Sequence, residues 1–231
     1  MLKNFMLVVV EYVYASGKNI RRHPITSGAT FVMTSRPRDQ VQAKPKTQGQ
    51  VRIIGGRWRG RKLSFTASDG LRPTPDRVRE TLFNWLAAET EGARCLDLFA
   101  GSGALGLEAL SRGAGSCHFV DASALHCQQI QQHLGKLEAG SGVVECREAI
   151  AFLDSHREAF DLVFLDPPFG EKLIDPCCSA LLTGGLLTPG ATLYIEVGIG
   201  EPAPQLPEPW HLYRDKRAGQ VSYRLYRRIM G

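Results

Sequence analysis

At 231 residues and 43% hydrophobic content, the chain has length and apolar material for one sizeable domain with an extension. Its net charge of +5 conceals three blocks: residues 1–79 carry 16 basic and 4 acidic side chains, residues 80–210 carry 6 and 18, and residues 211–231 carry 6 and 1. Six cysteines without paired spacing, six scattered histidines and no apolar run near the roughly 20 residues that span a bilayer exclude a disulfide framework, a zinc site and a membrane helix.

Residues 1–50 read as a flexible basic leader. The apolar stretch 5–10 is cut short by Glu11 and lacks a signal-peptide cleavage pattern, and residues 34–50 are polar and basic. Met33 is a plausible true start, which would place residues 1–32 outside the native product. Residues 51–54 and 61–65 predict a hairpin around Gly55-Gly56. Pro73-Thr74-Pro75-Asp76 opens a helix with Val78, Leu82, Phe83, Trp85 and Leu86 at helical spacing, stopped by Gly92. Val78, Phe83 and Trp85 read as core.

Short apolar strands over 94–99, 116–121, 143–147, 162–166 and 191–197 then alternate with helices over 104–112, 124–137, 149–157 and 174–182. This is the α/β pattern of a doubly wound, mostly parallel, Rossmann-like sheet. Residues 211–216 and 221–228, joined at Gly219, predict a closing antiparallel hairpin. Cysteines inside the apolar runs behave as small buried hydrophobes, and a reducing, cytoplasmic setting fits them.

Two motifs carry chemistry. The first, Asp97-Leu98-Phe99-Ala100-Gly101-Ser102-Gly103, leaves the first parallel strand for a helix, where ligands collect in open α/β sheets. Its glycines admit a ligand to the backbone, and Asp97 suits an amine-bearing or cationic ligand better than a pyrophosphate. The pattern resembles the nucleotide loop of class I S-adenosylmethionine methyltransferases. Asp121 ends the next strand, where a carboxylate can accept both ribose hydroxyls of a nucleoside. Glu148-Ala149 follows the third, where those enzymes commonly carry an Asp-Ala pair near the adenine; a solvated helix cap is the other reading of Glu148.

The second motif is Asp166-Pro167-Pro168-Phe169, which closes an apolar strand. Paired prolines remove two backbone donors and leave carbonyls that only accept. A carboxylate, a carbonyl and an aromatic face can then hold a planar exocyclic amine. The four residues resemble the (Asp/Asn)-Pro-Pro-aromatic signature of amino-group methyltransferases, which specifies a reaction type and leaves the substrate open.

Upstream, Arg57, Arg59, Arg61, Lys62, Arg72 and Arg77 are candidate phosphate contacts, with Trp58 available to stack or pack. Residues 52–63 and 71–86, together with both motifs, resemble the bacterial 16S rRNA guanine-N2 methyltransferase D family. The resemblance runs from about Val51 to the carboxyl end, with Glu148 as its main departure. It implies a monomeric cytoplasmic enzyme whose methyltransferase domain fills 51–231, with an RNA-binding extension over 51–79. It also implies S-adenosylmethionine as cofactor and a guanine in 16S rRNA as target, within the small ribosomal subunit or its assembly intermediate. Neither a metal nor a membrane is expected as partner. A DNA adenine-N6 methyltransferase, an NAD-dependent oxidoreductase and a non-catalytic RNA-binding assembly factor remain as alternatives.

Overall fold

The chain divides into Met1–Gln42 and Ala43–Gly231. The computed structural model describes residues 48–66 and 73–228. The leader up to residue 47, and Arg72, lie outside the described residues.

The hairpin is present as β1 (Gln48–Arg52) and β2 (Lys62–Thr66), paired antiparallel from Gln48↔Thr66 to Arg52↔Lys62. It begins inside the segment expected to be leader, which corrects that boundary for residues 48–50. Main-chain pairing needs no apolar side chain, and Gly49 fits because a Cβ there would lie 2.1 Å from the Phe65 ring. The connection is longer than a Gly-Gly turn and contains one turn of 3-10 helix, Gly56–Trp58.

The predicted helices are α1 (Asp76–Trp85), α2 (Ala104–Ser111), α3 (Ala124–Leu137), α4 (Ala149–Ser155) and α5 (Ile174–Thr183). The remaining strands are β3 (Arg94–Asp97), β4 (Ser116–Asp121), β5 (Gly142–Cys146), β6 (Phe160–Leu165), β7 (Leu187–Gly198), β8 (Trp210–Ala218) and β9 (Val221–Arg228). Strand β7 starts four residues before its predicted limit. Its Pro189-Gly190 pair is tolerated because the pairing with β6 is irregular there.

These seven strands form one sheet in the order β5-β4-β3-β6-β7-β9-β8, parallel from β5 to β7 and antiparallel beyond. The chain runs outward from β3 through β4 to β5, then returns to the other side of β3 as β6. The carboxyl ends of β3 and β6 therefore flank a topological switch point, where open α/β sheets hold ligands.

Two buried clusters cover the two faces. Leu162 and Phe164 of β6 pack with Leu82, Phe83, Leu107 and Ile130; Val163 and Leu165 pack with Phe152, Leu153 and Leu181. Alternation within one apolar strand, with both faces covered by helices, is what makes such strands read as continuous hydrophobic runs. Ile53, Trp58 and Leu63 belong to the first cluster, so the hairpin is packed into the domain. All six cysteines are free and only Cys146 is exposed.

Candidate active site

At the end of β3 the backbone turns sharply. Gly101 and Gly103 have φ of 51° and 75°, in the left-handed region that favours glycine, and Gly103 N–H donates to the Ala100 carbonyl at 2.6 Å. Ala100 N–H in turn donates to the Val120 carbonyl, fastening the loop to β4. The first turn of a helix leaves backbone donors unpaired; here Gly106 N–H donates to Asp97 Oδ2 at 2.9 Å. Gly106 also lies against β4, where a Cβ would sit 2.3 Å from the Phe119 ring. Asp97 is buried. That burial pushes its carboxyl up to about 7, the Gly106 bond opposes the shift, and the charges of Asp121 and Glu196 add to it.

Asp121 binds the loop from the next strand. Its Oδ2 accepts from Gly101 N–H at 2.8 Å, its Oδ1 accepts from Ser123 N–H at 2.8 Å, and His126 Nδ1 lies 3.0 Å from the same oxygen. Burial opposes ionisation, but these bonds outweigh it and hold the carboxyl below its ordinary value. A carboxylate offers about four acceptor sites, so this set of partners leaves room for one further donor, fewer than a ribose diol would use. Phe99 is half-buried and Ala100 buried. Beyond β5, Glu148 is the N-cap residue of α4, exposed and without a side-chain cap bond, which fits a solvated cap acting through the helix dipole; Ala149 after it is buried.

Asp166 follows β6, with Pro167 buried beneath it, Pro168 exposed, and Phe169 presenting 53% of its surface. Two residues not singled out in the sequence complete this end of the sheet. Glu196 of β7 is buried, and its Oε1 accepts from Tyr194 OH at 2.7 Å and Thr74 Oγ1 at 3.2 Å. The Thr74 side chain also hydrogen-bonds Asp166. Burial, then the charges of Glu196 and Asp97, push Asp166 well above the usual carboxylate range. Burial pushes Glu196 to about 7 against the bonds from Tyr194 and Thr74. Thr74 owns a single proton, so it cannot donate to both carboxylates at once.

Asp97, Asp166 and Glu196 thus face one another electrostatically with no basic side chain among their described hydrogen-bond partners. Such a cluster favours a cationic ligand, whose charge would offset the buried carboxyl groups of Asp97 and Glu196 and the half-buried one of Asp166. No group of three or more potential metal ligands occurs among the described residues. Nor is any helix there long and apolar enough to cross a membrane.

The basic candidates separate from this cluster. Arg57, Arg59, Arg61 and Lys62 are exposed along the connecting end of the hairpin and the start of β2, and Arg77 is exposed on α1. Arg61 Nη2 donates to the Lys136 carbonyl. Arg57 lies 4.1 Å over the ring of Trp58, which is buried and packs instead of offering a stacking face.

Glu108, at the centre of α2, is fully buried and anchors the hairpin. Its oxygens accept from Ile54 N–H and Gly55 N–H, both at 2.8 Å, from Arg112 Nε at 2.7 Å, and from Arg79 Nη1 at 3.3 Å. Ser111 Oγ accepts from Trp58 N–H and donates to the Gly55 carbonyl. Arg79, also buried, reaches the carbonyls of Arg52 and Thr74 and the carboxylate of Asp76. The helix that begins at the glycine loop therefore holds the hairpin. A single acid within Ala-Leu-Gly-Leu-Glu-Ala-Leu was the available signal for this, since a buried charge requires partners.

A family model described as conserved hypothetical protein 95 matches residues 51–227. Ribosomal RNA small subunit methyltransferase D of Escherichia coli K12 is 49% identical over 180 residues, 78% of this chain and 91% of that one. Its Haemophilus influenzae counterpart is 45% identical over 186 residues, 79% and 96% of the two chains. The solved structure of YhhF from Escherichia coli matches with a TM-score of 0.71 and 46% identity, covering 78% of this chain and 98% of that one.

Proposed function

The chain belongs to the family of ribosomal RNA small subunit methyltransferase D, and from that premise we propose that it methylates the exocyclic N2 amine of a guanine in 16S rRNA, using S-adenosylmethionine. Its substrate in this reading is the small ribosomal subunit or an assembly intermediate, engaged by a cytoplasmic monomer. Residues 51–231 would act as the methyltransferase domain, with 51–79 as its RNA-binding extension.

The observation that carries the proposal is the convergence of Asp166-Pro167-Pro168-Phe169 with the glycine loop at the switch point, over buried Asp97 and Glu196. The loop fits the cofactor: left-handed glycines at 101 and 103 bare the backbone, and the surrounding carboxyl groups suit its positive charge. When bound, S-adenosylmethionine supplies an electrophilic methyl group on a cationic sulfur. The remaining chemistry belongs to the chain. Residues 97, 99–101, 103, 121, 148 and 149 would cradle the cofactor. The Asp166 carboxylate and Pro167 carbonyl would accept hydrogen bonds from the guanine NH₂. That draws the nitrogen lone pair out of conjugation and stabilises the positive charge that develops there. Phe169, exposed at the rim, would stack on the target base and hold it in line. The proton that leaves the methylated nitrogen has Asp166, and through Thr74 Glu196, within its reach.

An NAD-dependent oxidoreductase would bring a pyrophosphate to a loop beside Asp97, where buried acids repel it, and would leave Asp166–Phe169 without a role. The exposed cations at 57, 59, 61, 62 and 77, together with Arg72, would engage rRNA phosphates. The test pairs two measurements on Asp166→Ala: S-adenosylmethionine affinity by calorimetry and labelled-methyl transfer to unmodified small subunits. Transfer should vanish while affinity stays within about threefold; unchanged transfer defeats the mechanism.

A further inference from the structure

The basic carboxyl-terminal hairpin has no part in the site above. Its outer strand, β8, is the edge of the seven-stranded sheet, and every residue from His211 to Arg217 is exposed. Edge strands often carry a charge or two that discourages pairing with other chains. This one carries Arg214, Lys216 and Arg217, and none of the three has an ion-pair partner among the described residues. Asp215, the single acid of the strand, faces Arg224 at 3.4 Å.

Aromatic rings hold Arg214 and Lys216 in place of acids. Arg214 stacks 3.9 Å over Tyr213 and donates to its carbonyl and hydroxyl; Arg227 covers the same ring at 3.6 Å. Lys216 Nζ lies 5.6 Å over Trp85. A guanidinium stacked on a ring is preordered, and of its five in-plane N–H groups the two bonds to Tyr213 leave three to meet an oxyanion. Residues two apart on a strand are about 7 Å apart on one face, which puts Arg214 and Lys216 at a separation near that of successive phosphates.

Register fixes where the strip leads. Ala218 pairs with Val221, and Val221 pairs with Gly198, two residues beyond Glu196. Lys216 and Arg217 therefore approach the end of the sheet that carries Asp166 and Glu196. Lys216 also lies on the face that α1 covers, the face whose core contains Ile53, Trp58 and Leu63 of the β1–β2 hairpin.

We propose that β8 is a second RNA-binding strip, in which Arg214, Lys216 and Arg217 engage phosphates of the rRNA on the far side of the active site from the β1–β2 hairpin. The inference rests on the methyltransferase reading. It adds that the target strand is held on both sides of the base that enters the site.

The test compares wild type with Arg214→Gln/Lys216→Gln/Arg217→Gln and with the triple Glu variant, which keeps the edge charged and so keeps any protection against pairing. Binding to small subunits across a salt series should show at least a tenfold loss at low salt. Each lost phosphate contact should remove about 0.7–0.9 from the slope of log affinity against log salt, so the Gln variant, which loses three, should lose about 2.1–2.7. S-adenosylmethionine affinity should not move, and thermal stability should fall only slightly, by the loss of two exposed cation–ring contacts. In parallel, a photoreactive group at Leu212 of the otherwise unaltered protein should cross-link to 16S rRNA. Unchanged salt slopes and no cross-link in an enzyme that methylates overturn the strip alone. A cross-link in a protein that transfers no methyl group supports the strip and defeats the activity.

Discussion

Replacing Glu108 by alanine should undock the β1–β2 hairpin from α2, and the size of the effect follows from its partners. The substitution leaves the Arg79 guanidinium, 1% exposed, with Asp76 as its remaining carboxylate, and strips Ile54 N–H and Gly55 N–H of their acceptor. Removing one member of a buried ion pair destabilises by about 3–5 kcal/mol. The two amides are half-buried, where water can replace much of the lost bond, so they add about 1 kcal/mol or less together. A loss of about 4 kcal/mol is expected. At about 2–4 °C per kcal/mol for a domain of this size, Tm should fall by about 8–16 °C. Urea and thermal unfolding followed by circular dichroism measure it. Glu108→Ala/Arg79→Met removes both charges and should recover at least half of the loss. A loss below about 1 kcal/mol, or no recovery in the double variant, refutes the view that this buried charge anchors the hairpin.

Other outcomes follow from the same geometry. Asp166→Asn should lower single-turnover methyl transfer by about 100-fold or more, with cofactor affinity little changed; a loss under about fivefold contradicts its role at the amine. Asp166 is raised by burial and by Glu196, so transfer should increase as pH rises above the ordinary carboxylate range, and Glu196→Gln, by removing that neighbouring charge, should move the acid limb to lower pH; a limb that stays in place counts against their coupling. Burial lowers His118 and His156, whose rings pack against Phe152 and Phe160, so the fold favours their neutral forms. Their contribution to stability is therefore complete above their ordinary range near 6.5 and declines as pH falls below it. His118→Phe/His156→Phe should flatten that decline in urea titrations between pH 5 and 7, and a slope equal to wild type excludes them as its source. Gly106→Ala should destabilise, since its Cβ would meet Phe119 at 2.3 Å; unfolding midpoints equal to wild type contradict that packing.

The parallel sheet was legible because strands buried on both faces must be apolar throughout, as residues 162–165 are, and because β3, β4 and β6 each run into an aspartate at the carboxyl end, Asp97, Asp121 and Asp166. The two motifs were legible for a related reason: backbone approach and donor removal demand particular residue types. What pairs across long separations was not. Glu196 sits in an apolar strand, Thr74 lies 122 residues earlier, and nothing local to either shows that they share a proton near Asp166. Arg79 looks like one more basic residue beside Arg77, yet one is buried against Glu108 and the other is exposed. Trp58 illustrates the same limit, since exposed stacking and burial demand the same side chain. Asp121 reads in the sequence as a ligand carboxylate, and nothing local shows that it also accepts from Gly101 N–H of the glycine loop and from Ser123 N–H, beside His126.

The most direct test of the methyltransferase account is nucleoside mass spectrometry of 16S rRNA from unmodified small subunits incubated with the protein and isotopically labelled S-adenosylmethionine. The account predicts one labelled N2-methylguanosine per subunit, absent when Asp166 is alanine. Label on another base or another atom of guanine, or no label with a cofactor-binding protein, contradicts it.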